Sequence, residues 1–411
     1  MSELRSVEEH LATVLAAVVP LPTSAVSLAD AHGLVLREPV RAAIDIPAFD
    51  NSSMDGFAVR LDDVAAAGED TPVTLAVVAD LPAGSPDDPP LHAGEAARIM
   101  TGAPMPTDAD AIVPFEDTLG GLDDSLSTTV VLAAPRARGA FVRRGGQDAR
   151  VGDEILAAGV RLGPLQLSAV AAAGVATVVA ARRPRVAVVS TGSELVAAGD
   201  PVRRGQIPDS NGILLASLAA EAGATIVHRG AVDDDGAGLR ALLASLVGAA
   251  DVVLLSGGVS AGAYEVVRME LASSMDFVRV AMQPGKPQGF GRLPDGPLLF
   301  GLPGNPVSSA VSFETFVRPA LLAMQGRSDL ARPVLRLPAA VAWTTPPGRR
   351  QYLPAVIDRT DPTRWTVAPA TAGGSGSHLA GGLGRAEAYA VVPADVAAVA
   401  VDDLCDVMLI A

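Results

Sequence analysis

A run of four apolar residues that ends in a diglycine turn restricts the fold of this chain more than any other feature. The run VVLL at 252–255 is followed by SGG at 256–258, and helical residues resume after Gly262. A short strand without polar alternation is buried on both faces, which predicts a parallel sheet covered by helices. Glycines let backbone amides approach a ligand, and the following helix points its positive end at the same place. The stretch 251–265 therefore indicates a phosphate-binding turn, although an ordinary β-to-α turn without a ligand fits the pattern equally well.

Strand and helix patterns alternate around this run. The predicted strands are 186–189, 225–228, 252–255 and 298–302, and the predicted helices are 212–222, 239–247 and 307–325. This order predicts a doubly wound α/β unit with a mainly parallel sheet, whose ligand lies past the carboxyl ends of the strands. Four strand ends carry glycine or acid at that edge, namely Thr191-Gly192, 233–235, Gly257-Gly258 and Pro303-Gly304.

Three acids lie close to these strand ends. Glu194, Asp234 and Glu265 would repel a phosphate unless a hard cation lay between them, and Mg²⁺ prefers carboxylate and phosphate oxygens. Each acid taken alone is more often an ordinary residue at a helix N-terminus, where the dipole stabilises it. Only the three acids taken together indicate a metal site.

The flanking regions show β-strand patterns. Short strands joined by Pro/Gly turns between 71 and 134 predict a small β-rich unit, with Thr101 at the tip of a turn, and residues after 328 alternate with period two. The stretch 46–59 has no clear periodicity, and we interpret its acids as turn residues rather than as a functional loop. In FVRRGGQD at 141–148, paired arginines indicate either an oxyanion site or a surface ion pair with Asp148.

Composition excludes some classes of partner and location. The 411 residues suffice for about two to four domains, and the net charge of −15 argues against nucleic acid, whose binding depends on Lys and Arg. A single cysteine, Cys405, allows no intramolecular disulfide. The N-terminus has no signal pattern and no apolar run reaches membrane-spanning length. We therefore expect a cytoplasmic protein with no membrane or nucleic-acid partner.

Seven motifs in order make the chain resemble the molybdopterin molybdenumtransferases (molybdenum insertases), a family to which the C-terminal domain of gephyrin also belongs. The resemblance spans essentially the whole chain. The motifs are FDNSSMDGFAV (49–59), RIMTGAPMP (98–106), RRGGQD (143–148), STGSEL (190–195), SGGVSAG (256–262), PGKP (284–287) and GLPGNPVS (301–308).

The resemblance implies an enzyme that inserts molybdate into adenylylated molybdopterin, hydrolyses the adenylate and releases AMP, with Mg²⁺ required. It assigns catalytic roles to Asp55, Thr101, Asp148, Glu194, Asp234 and Lys286. It places at the cofactor-binding site Arg143, Thr191, Gly192, Gly257, Gly258, Arg279, Pro303, Gly304, Pro306 and Ser377. Glu194, Asp234 and Glu265 would hold the metal, while Thr101 and Asp55 would face the end of the substrate where molybdenum enters.

The resemblance also implies an architecture and partners. The expected parts are an N-terminal helix (1–25) packing near the α/β domain, a discontinuous elongated linking domain (26–46 and 147–181), a small β-rich domain (47–146), the α/β molybdopterin-binding domain (182–328) and a C-terminal β-barrel-like domain (329–411). A homodimer with active sites built from both subunits is expected. Molybdopterin adenylyltransferase and recipient molybdoenzymes are the other expected partners.

Three positions depart from the family pattern. Glu265 replaces the usual Asp, Gln147 replaces a frequent Glu, and Gln283 replaces a common lysine, which removes a positive charge from the expected anion site.

Two other functions compete with molybdenum insertion. The α/β unit alone resembles the adenylyltransferases of the same pathway, which predicts adenylyl transfer to molybdopterin. A non-catalytic scaffold that kept the pterin pocket is the alternative from a different class.

Overall fold

The computed structural model describes residues 4–123, 126–233, 236–259, 266–371 and 380–410. The predicted site residues Asp234, Glu265 and Ser377 lie outside these ranges. The chain opens with helix α1 (Val7–Ala16) and strands β1 (Thr23–Ser27), β2 (Val35–Leu36) and β3 (Val40–Arg41). At the start of α1 the Ser6 hydroxyl accepts from the Glu9 amide at 3.1 Å, and the Glu9 carboxylate accepts from the Ser6 amide at 2.8 Å. Ser6 and Glu9 thus form a capping box.

A small antiparallel-rich sheet follows. Its segment contains β4 (Asn51–Ser52), β5 (Gly56–Val59), α2 (Leu61–Val64), β6 (Val73–Leu81), β7 (Glu95–Ile99), β8 (Ala111–Pro114), two 3-10 turns (Phe115–Asp117 and Gly121–Asp123), β9 (Thr128–Val131) and β10 (Val142–Arg143). Five strands pair in the order β8-β5-β7-β6-β9, and β4 pairs with β10. The interpretation of 46–59 as a loop is wrong for β5. All four of its residues are buried, so no alternation marks the strand in the sequence.

Two segments far apart in the chain pair with each other beside this sheet. After β10 come β11 (Glu154–Leu156), α3 (Pro164–Ala172) and β12 (Thr177–Ala181). Strand β12 lies between β1 and β2, and β11 pairs with β3, all antiparallel. Pro164 stands at the first turn of α3, as its fixed φ favours.

The central region is a six-stranded sheet with helices on both faces. Its elements are β13 (Arg185–Thr191), β14 (Leu195–Val196), β15 (Ile207–Pro208), α4 (Asn211–Glu221), β16 (Thr225–Val232), α5 (Ala237–Leu246), β17 (Val252–Ser256), α6 (Val266–Glu270), β18 (Met275–Arg279), β19 (Met282–Gln283), β20 (Pro287–Arg292), β21 (Leu298–Leu302), α7 (Pro306–Ser312), a π turn (Phe313–Val317) and α8 (Arg318–Met324). The order is β16-β13-β17-β21-β20-β18, and β16, β13, β17 and β21 are parallel. The predicted doubly wound α/β sheet is confirmed. The antiparallel hairpin β18–β20 was not predicted, and the single helix expected at 307–325 is interrupted by the π turn.

Alternate residues of the parallel strands enter two separate cores. Val186 and Leu254 pack with α4, α8 and α1, while Ala187 and Leu255 pack with α5 and α6. Every residue of β17 is buried, which is why its sequence shows no polar alternation.

The C-terminal region is a mainly antiparallel sheet that curls on itself. Its elements are β22 (Val334–Pro338), β23 (Trp343–Thr344), β24 (Arg350–Asp358), β25 (Thr366–Pro369), α9 (Ala380–Leu383), β26 (Ala388–Val392), β27 (Ala398–Val399) and β28 (Leu404–Leu409). The order is β19-β24-β26-β28-β22, with β25 on the other part of β24. A bridge between Ala339 and Val367 joins the β22 end to the β25 end, which gives the expected barrel-like shape.

Within the described ranges, no helix is long and apolar enough to cross a membrane.

A half-buried ion pair holds the start of β17 against the segment that leads into β13. Asp251, whose side chain is 11% exposed, accepts from Arg182 at 2.6 and 2.8 Å and from the Arg185 amide at 2.8 Å. Burial alone would raise the pKa of Asp251, but the hydrogen bonds from Arg182 and Arg185 outweigh it and lower the pKa to about 2. The carboxylate is therefore ionised at neutral pH and stabilises the fold only in that form.

We expect Asp251→Asn to lower the free energy of unfolding of the central region by about 2 kcal/mol at pH 7. Because the pKa is lowered from 3.8, the contribution is complete above about pH 4 and disappears as the pH falls towards 2. The two proteins should therefore converge in stability over that range. Amide exchange of β17 against pH measures this.

Asp402→Asn is the matched control, since Asp402 pairs with Arg364 at 2.6 Å but both side chains are more than half exposed. Its effect should stay below about 1 kcal/mol. Equal losses in the two variants would contradict the role given to Asp251.

Candidate active site

Four parallel strands end along one edge of the central sheet. In register, Thr191 lies beside Val232, and Ser256 lies beside both Ser190 and Leu302. The structure therefore brings together Thr191-Gly192, Asp233, Gly257-Gly258 and Pro303-Gly304 at the carboxyl edge. Strand order reverses between β13 and β17, because β13 connects first to β16 on one side and β17 lies on the other. A crevice at such a switch point is where α/β sheets bind nucleotides.

The hairpin β18–β20 adds two cations to the same edge. Because β20 runs antiparallel to β21, its first residues lie at the carboxyl ends of the parallel strands. Arg279 ends β18 opposite Pro287, and Lys286 stands directly before β20, where its carbonyl accepts from the Val280 amide at 2.8 Å. Arg279 and Lys286 are thus held beside each other by strand pairing.

A third cation lies beside Gln283, the position where the family commonly has lysine. The Arg349 guanidinium donates to Gln283 Oε1 at 2.7 Å. Strand β19, which carries Gln283, pairs in parallel with β24, whose first residue follows Arg349. Sequence reasoning missed Arg349 because it lies 66 positions after Gln283 in the chain. Only the pairing of β19 with β24 brings the two together.

The glycines of the SGG turn have different roles. Gly257 has φ +95°, and a Cβ there would stand 2.7 Å from the Thr191 carbonyl oxygen. Gly258 has φ +66°, and a Cβ there would stand 2.9 Å from Val267. The Gly257 amide donates to Leu302 O at 3.0 Å, so the expected cradle made by both backbone amides is wrong for Gly257. Its contribution is the absence of a side chain, which lets the turn lie against β13.

Glu194 folds back onto the sheet edge. A Cβ at Gly192, which has φ +148°, would stand 2.5 Å from Glu194 Oε2. The exposed carboxylate therefore lies over the end of β13. Carboxylate oxygens are the donors that suit Mg²⁺, and Glu194 is the described residue of the predicted set that fits. Within the described ranges, no group of three His, Cys, Asp or Glu side chains surrounds a common point.

The motif DSNG at 209–212 belongs to this edge and was missed in the sequence. Asp209 Oδ1 accepts from the Ser190 hydroxyl at 3.0 Å and from the Gly212 amide at 2.9 Å. Asp209 thereby caps α4 and ties it to β13. The signal was an Asp three residues before an amide of the first helical turn, which is also ordinary capping chemistry.

A second group lies on the small sheet. Asp55 Oδ1 accepts from the Thr101 amide at 2.7 Å and from the Thr101 hydroxyl at 2.8 Å. These two hydrogen bonds, the amide first, lower the pKa of Asp55. Both side chains are exposed, so an ionised carboxylate and an oriented hydroxyl face outwards.

The arginine turn at 143–148 lies next to β4. Arg143 pairs with Asn51 through the β10–β4 backbone register and is exposed, as is Asp148. The alternative of an ion pair with Asp148 is wrong for Arg144, which donates to Asp50 Oδ2 at 2.5 Å. The Gly145 amide and then Arg144 lower the pKa of Asp50. Asp50 therefore fixes the conformation of the turn at 143–148 through these two hydrogen bonds.

Pro303 and Pro306 frame the last turn of the edge. Pro303 is buried and Pro306 occupies the first position of α7 after the cap residue Asn305. The Ser309 hydroxyl donates to the Pro303 carbonyl, which fixes the turn around Gly304.

We expect Gly192→Ala to displace the Glu194 carboxylate from the sheet edge, because the added methyl group would overlap Oε2. A crystal structure of the variant measures the displacement, and thermal denaturation measures the backbone strain. Gly199→Ala is the matched control. Gly199 also has positive φ, at +101°, but nothing lies within 4 Å of a Cβ there, so it should show strain alone. If the Glu194 carboxylate keeps its position in Gly192→Ala, the predicted close contact between Gly192 and Glu194 is wrong.

Comparison with known proteins places the chain in a family. Models of the MoeA N-terminal region (domain I and II), a probable molybdopterin binding domain and the MoeA C-terminal region (domain IV) match residues 5–174, 187–323 and 336–410. Molybdopterin molybdenumtransferase 2 of Mycobacterium tuberculosis is 42% identical over 405 residues, 97% of each chain. Molybdopterin molybdenumtransferase 1 of the same species is 35% identical over 428 residues, 99% of each chain.

Solved structures agree with this placement. Two structures of the molybdopterin biosynthesis MoeA protein of Pyrococcus horikoshii match with TM-scores of 0.81 and 0.82 and identities of 30% and 25%. Each covers 99% of this chain and 99% or 100% of the other. With full-length relatives above 30% identity and all three family regions in order, this chain belongs to the MoeA family of molybdopterin molybdenumtransferases.

Proposed function

We propose that this protein is a molybdopterin molybdenumtransferase, which inserts molybdate into adenylylated molybdopterin and releases AMP by hydrolysis of the adenylate. The observation that carries the proposal is the carboxyl edge of the central sheet. There, glycine turns follow the strands, Glu194 lies over the end of β13, and Arg279 and Lys286 stand at the adjoining hairpin. Full-length relatives with that name support the reaction.

At this edge, the chain's own residues suit hydrolysis of a phosphoanhydride. Water attacks the phosphorus of the adenylyl group, and the P–O bond to the pterin phosphate breaks. Glu194 orients the water, and Arg279 and Lys286 stabilise the charge on the departing phosphate oxygen. Bound Mg²⁺, held by Glu194 with Asp234 and Glu265, would supply a Lewis acid for the phosphate oxygens.

The Asp55–Thr101 pair suits the other half of the reaction. Replacing one oxo group of molybdate by two dithiolene sulfurs releases one water, whose two protons come from the dithiol. Asp55 is a carboxylate at neutral pH, and the hydrogen bonds from Thr101 lower its pKa. The Thr101 hydroxyl donates to Asp55. This pair can accept and pass on those protons.

We expect Glu194→Gln to slow AMP release at least tenfold while changing affinity for the adenylylated substrate much less, because an amide orients water poorly and holds no cation strongly. Single-turnover AMP release and equilibrium titration measure the two quantities. Equal losses of rate and affinity would make Glu194 a binding residue instead.

The two groups lie on different sheets of the subunit. We propose a homodimer in which the central edge of one subunit faces the Asp55–Thr101 pair of the other. The substrate then spans the interface, with its nucleotide on one subunit and its dithiolene at the other.

Mixed dimers test this arrangement. We expect Thr101→Ala to spare AMP binding but impair molybdenum incorporation. Refolding or co-expressing Thr101→Ala with Glu194→Gln should restore about a quarter of wild-type activity, because half of random dimers are mixed and each mixed dimer has one intact site. Mixtures of separately purified homodimers that do not exchange subunits serve as the control. Mixed dimers without restored activity would contradict the shared site.

Adenylyl transfer and a non-catalytic scaffold are less favoured than insertion. The family match includes the regions on both sides of the α/β sheet, and the site acid Glu194 is present. We further propose that the enzyme works in the cytoplasm. There it would receive its substrate from a molybdopterin adenylyltransferase and deliver the cofactor to molybdoenzymes.

A further inference from the structure

Asn211 occupies the junction of the strand ends that form the candidate site. It is the first residue of α4, an eleven-residue helix, and is 7% exposed. Its side-chain nitrogen donates to Ser256 Oγ at 2.7 Å and to the Gly304 carbonyl at 2.7 Å. Ser256 ends β17 and Gly304 lies in the turn after β21, so one amide group connects two loops of the edge.

The orientation of this amide follows from its partners. A backbone carbonyl can only accept a hydrogen bond, so the group facing Gly304 must be the NH₂. Both N–H donors are then used. The amide oxygen faces elsewhere, and it is buried without a hydrogen-bond partner among the described residues.

A buried acceptor without a hydrogen-bond partner destabilises the folded protein. Buried acceptors of this kind are usually satisfied by a ligand or by water. The Asn211 side-chain oxygen lies at the switch point of the sheet, where α/β proteins bind nucleotides. The occupant must offer a donor, because an anionic oxygen would be repelled by the amide oxygen. A phosphate alone therefore does not satisfy Asn211.

We infer that Asn211 is a ligand-binding residue: its NH₂ holds the Ser256 and Gly304 turns at a fixed spacing, and its Oδ1 accepts a hydrogen bond from a hydroxyl or amino group of the bound nucleotide. This inference rests on the proposed function, since it takes AMP as the released product. It assigns to Asn211 the recognition of the ribose or base of AMP rather than of the phosphate.

The test compares AMP with two analogues that each lack a donor, 2′,3′-dideoxy-AMP without the ribose hydroxyls and IMP without the adenine amino group. Wild-type protein should bind AMP about three- to tenfold more tightly than one of the two, the size of a single hydrogen bond. In Asn211→Ala that preference should disappear. Equilibrium titration with each nucleotide measures it.

Two further variants separate recognition from folding. Asn211→Asp keeps the acceptor but loses the NH₂, so it should retain the preference while melting earlier. Gln325→Ala is the matched control. Gln325 follows α8, is 4% exposed, and donates at 2.9 Å to the carbonyl of Ala222 at the other end of α4. It should melt earlier with the nucleotide preference unchanged.

The outcomes distinguish this inference from the proposed function. A preference for AMP that persists in Asn211→Ala, or no preference for AMP over either analogue in the wild type, overturns the inference. Wild-type protein that binds AMP but releases none from the adenylylated substrate overturns the proposed function instead. A loss of preference in Gln325→Ala equal to that in Asn211→Ala would make Asn211 a structural residue and also overturns the inference.

Discussion

The parallel pairing of β16, β13, β17 and β21 is the constraint on which the rest of the molecule depends. Alternate residues of these strands enter two cores, so a slip of one residue would turn each apolar set towards the wrong helices. The register that satisfies both cores also places Ser190, Ser256 and Leu302 side by side. The position of the candidate site is therefore a consequence of core packing. The glycines that follow these residues then allow the turns to approach one another.

The regions around the central sheet determine the charge at its edge. The chain carries a net charge of −15, yet Arg279, Lys286 and Arg349 lie around one hairpin and its neighbouring strand. Arg349 reaches this place because β19 leaves the central region and pairs with β24 of the C-terminal sheet. A local group of cations in an acidic protein concentrates an anionic ligand at one place and disfavours anions elsewhere on the surface. The C-terminal sheet thus contributes to the site as well as to stability.

Sequence periodicity predicted the elements whose environment is uniform along their length. Strand β17 is buried throughout and Leu298–Leu302 was located to the residue, because an apolar run between turn residues has few other interpretations. Strand β5 was missed because all four of its residues are buried and no alternation marks it. The hairpin β18–β20 was missed because glycines and the buried Gln288 in β20 resemble a turn. For the site, the strand ends could be predicted because they follow from strand direction. Arg349 and Asn211 could not, because their roles depend on pairing and on which loops converge.

The Asp55–Thr101 pair and the cations Arg279, Lys286 and Arg349 carry opposite charges. This difference indicates which half of the reaction each group serves. The lowered pKa of Asp55 keeps it ionised, and an ionised carboxylate repels molybdate. The nearby Arg144 is already paired with Asp50, so it offsets little of that repulsion. The cations beside the central sheet have the opposite sign, and Arg349 donates to the neutral Gln283. Electrostatic complementarity between these surfaces favours their apposition across a dimer interface. In the proposed dimer, the cations would hold both anions, and Asp55 and Thr101 would accept and pass on the protons.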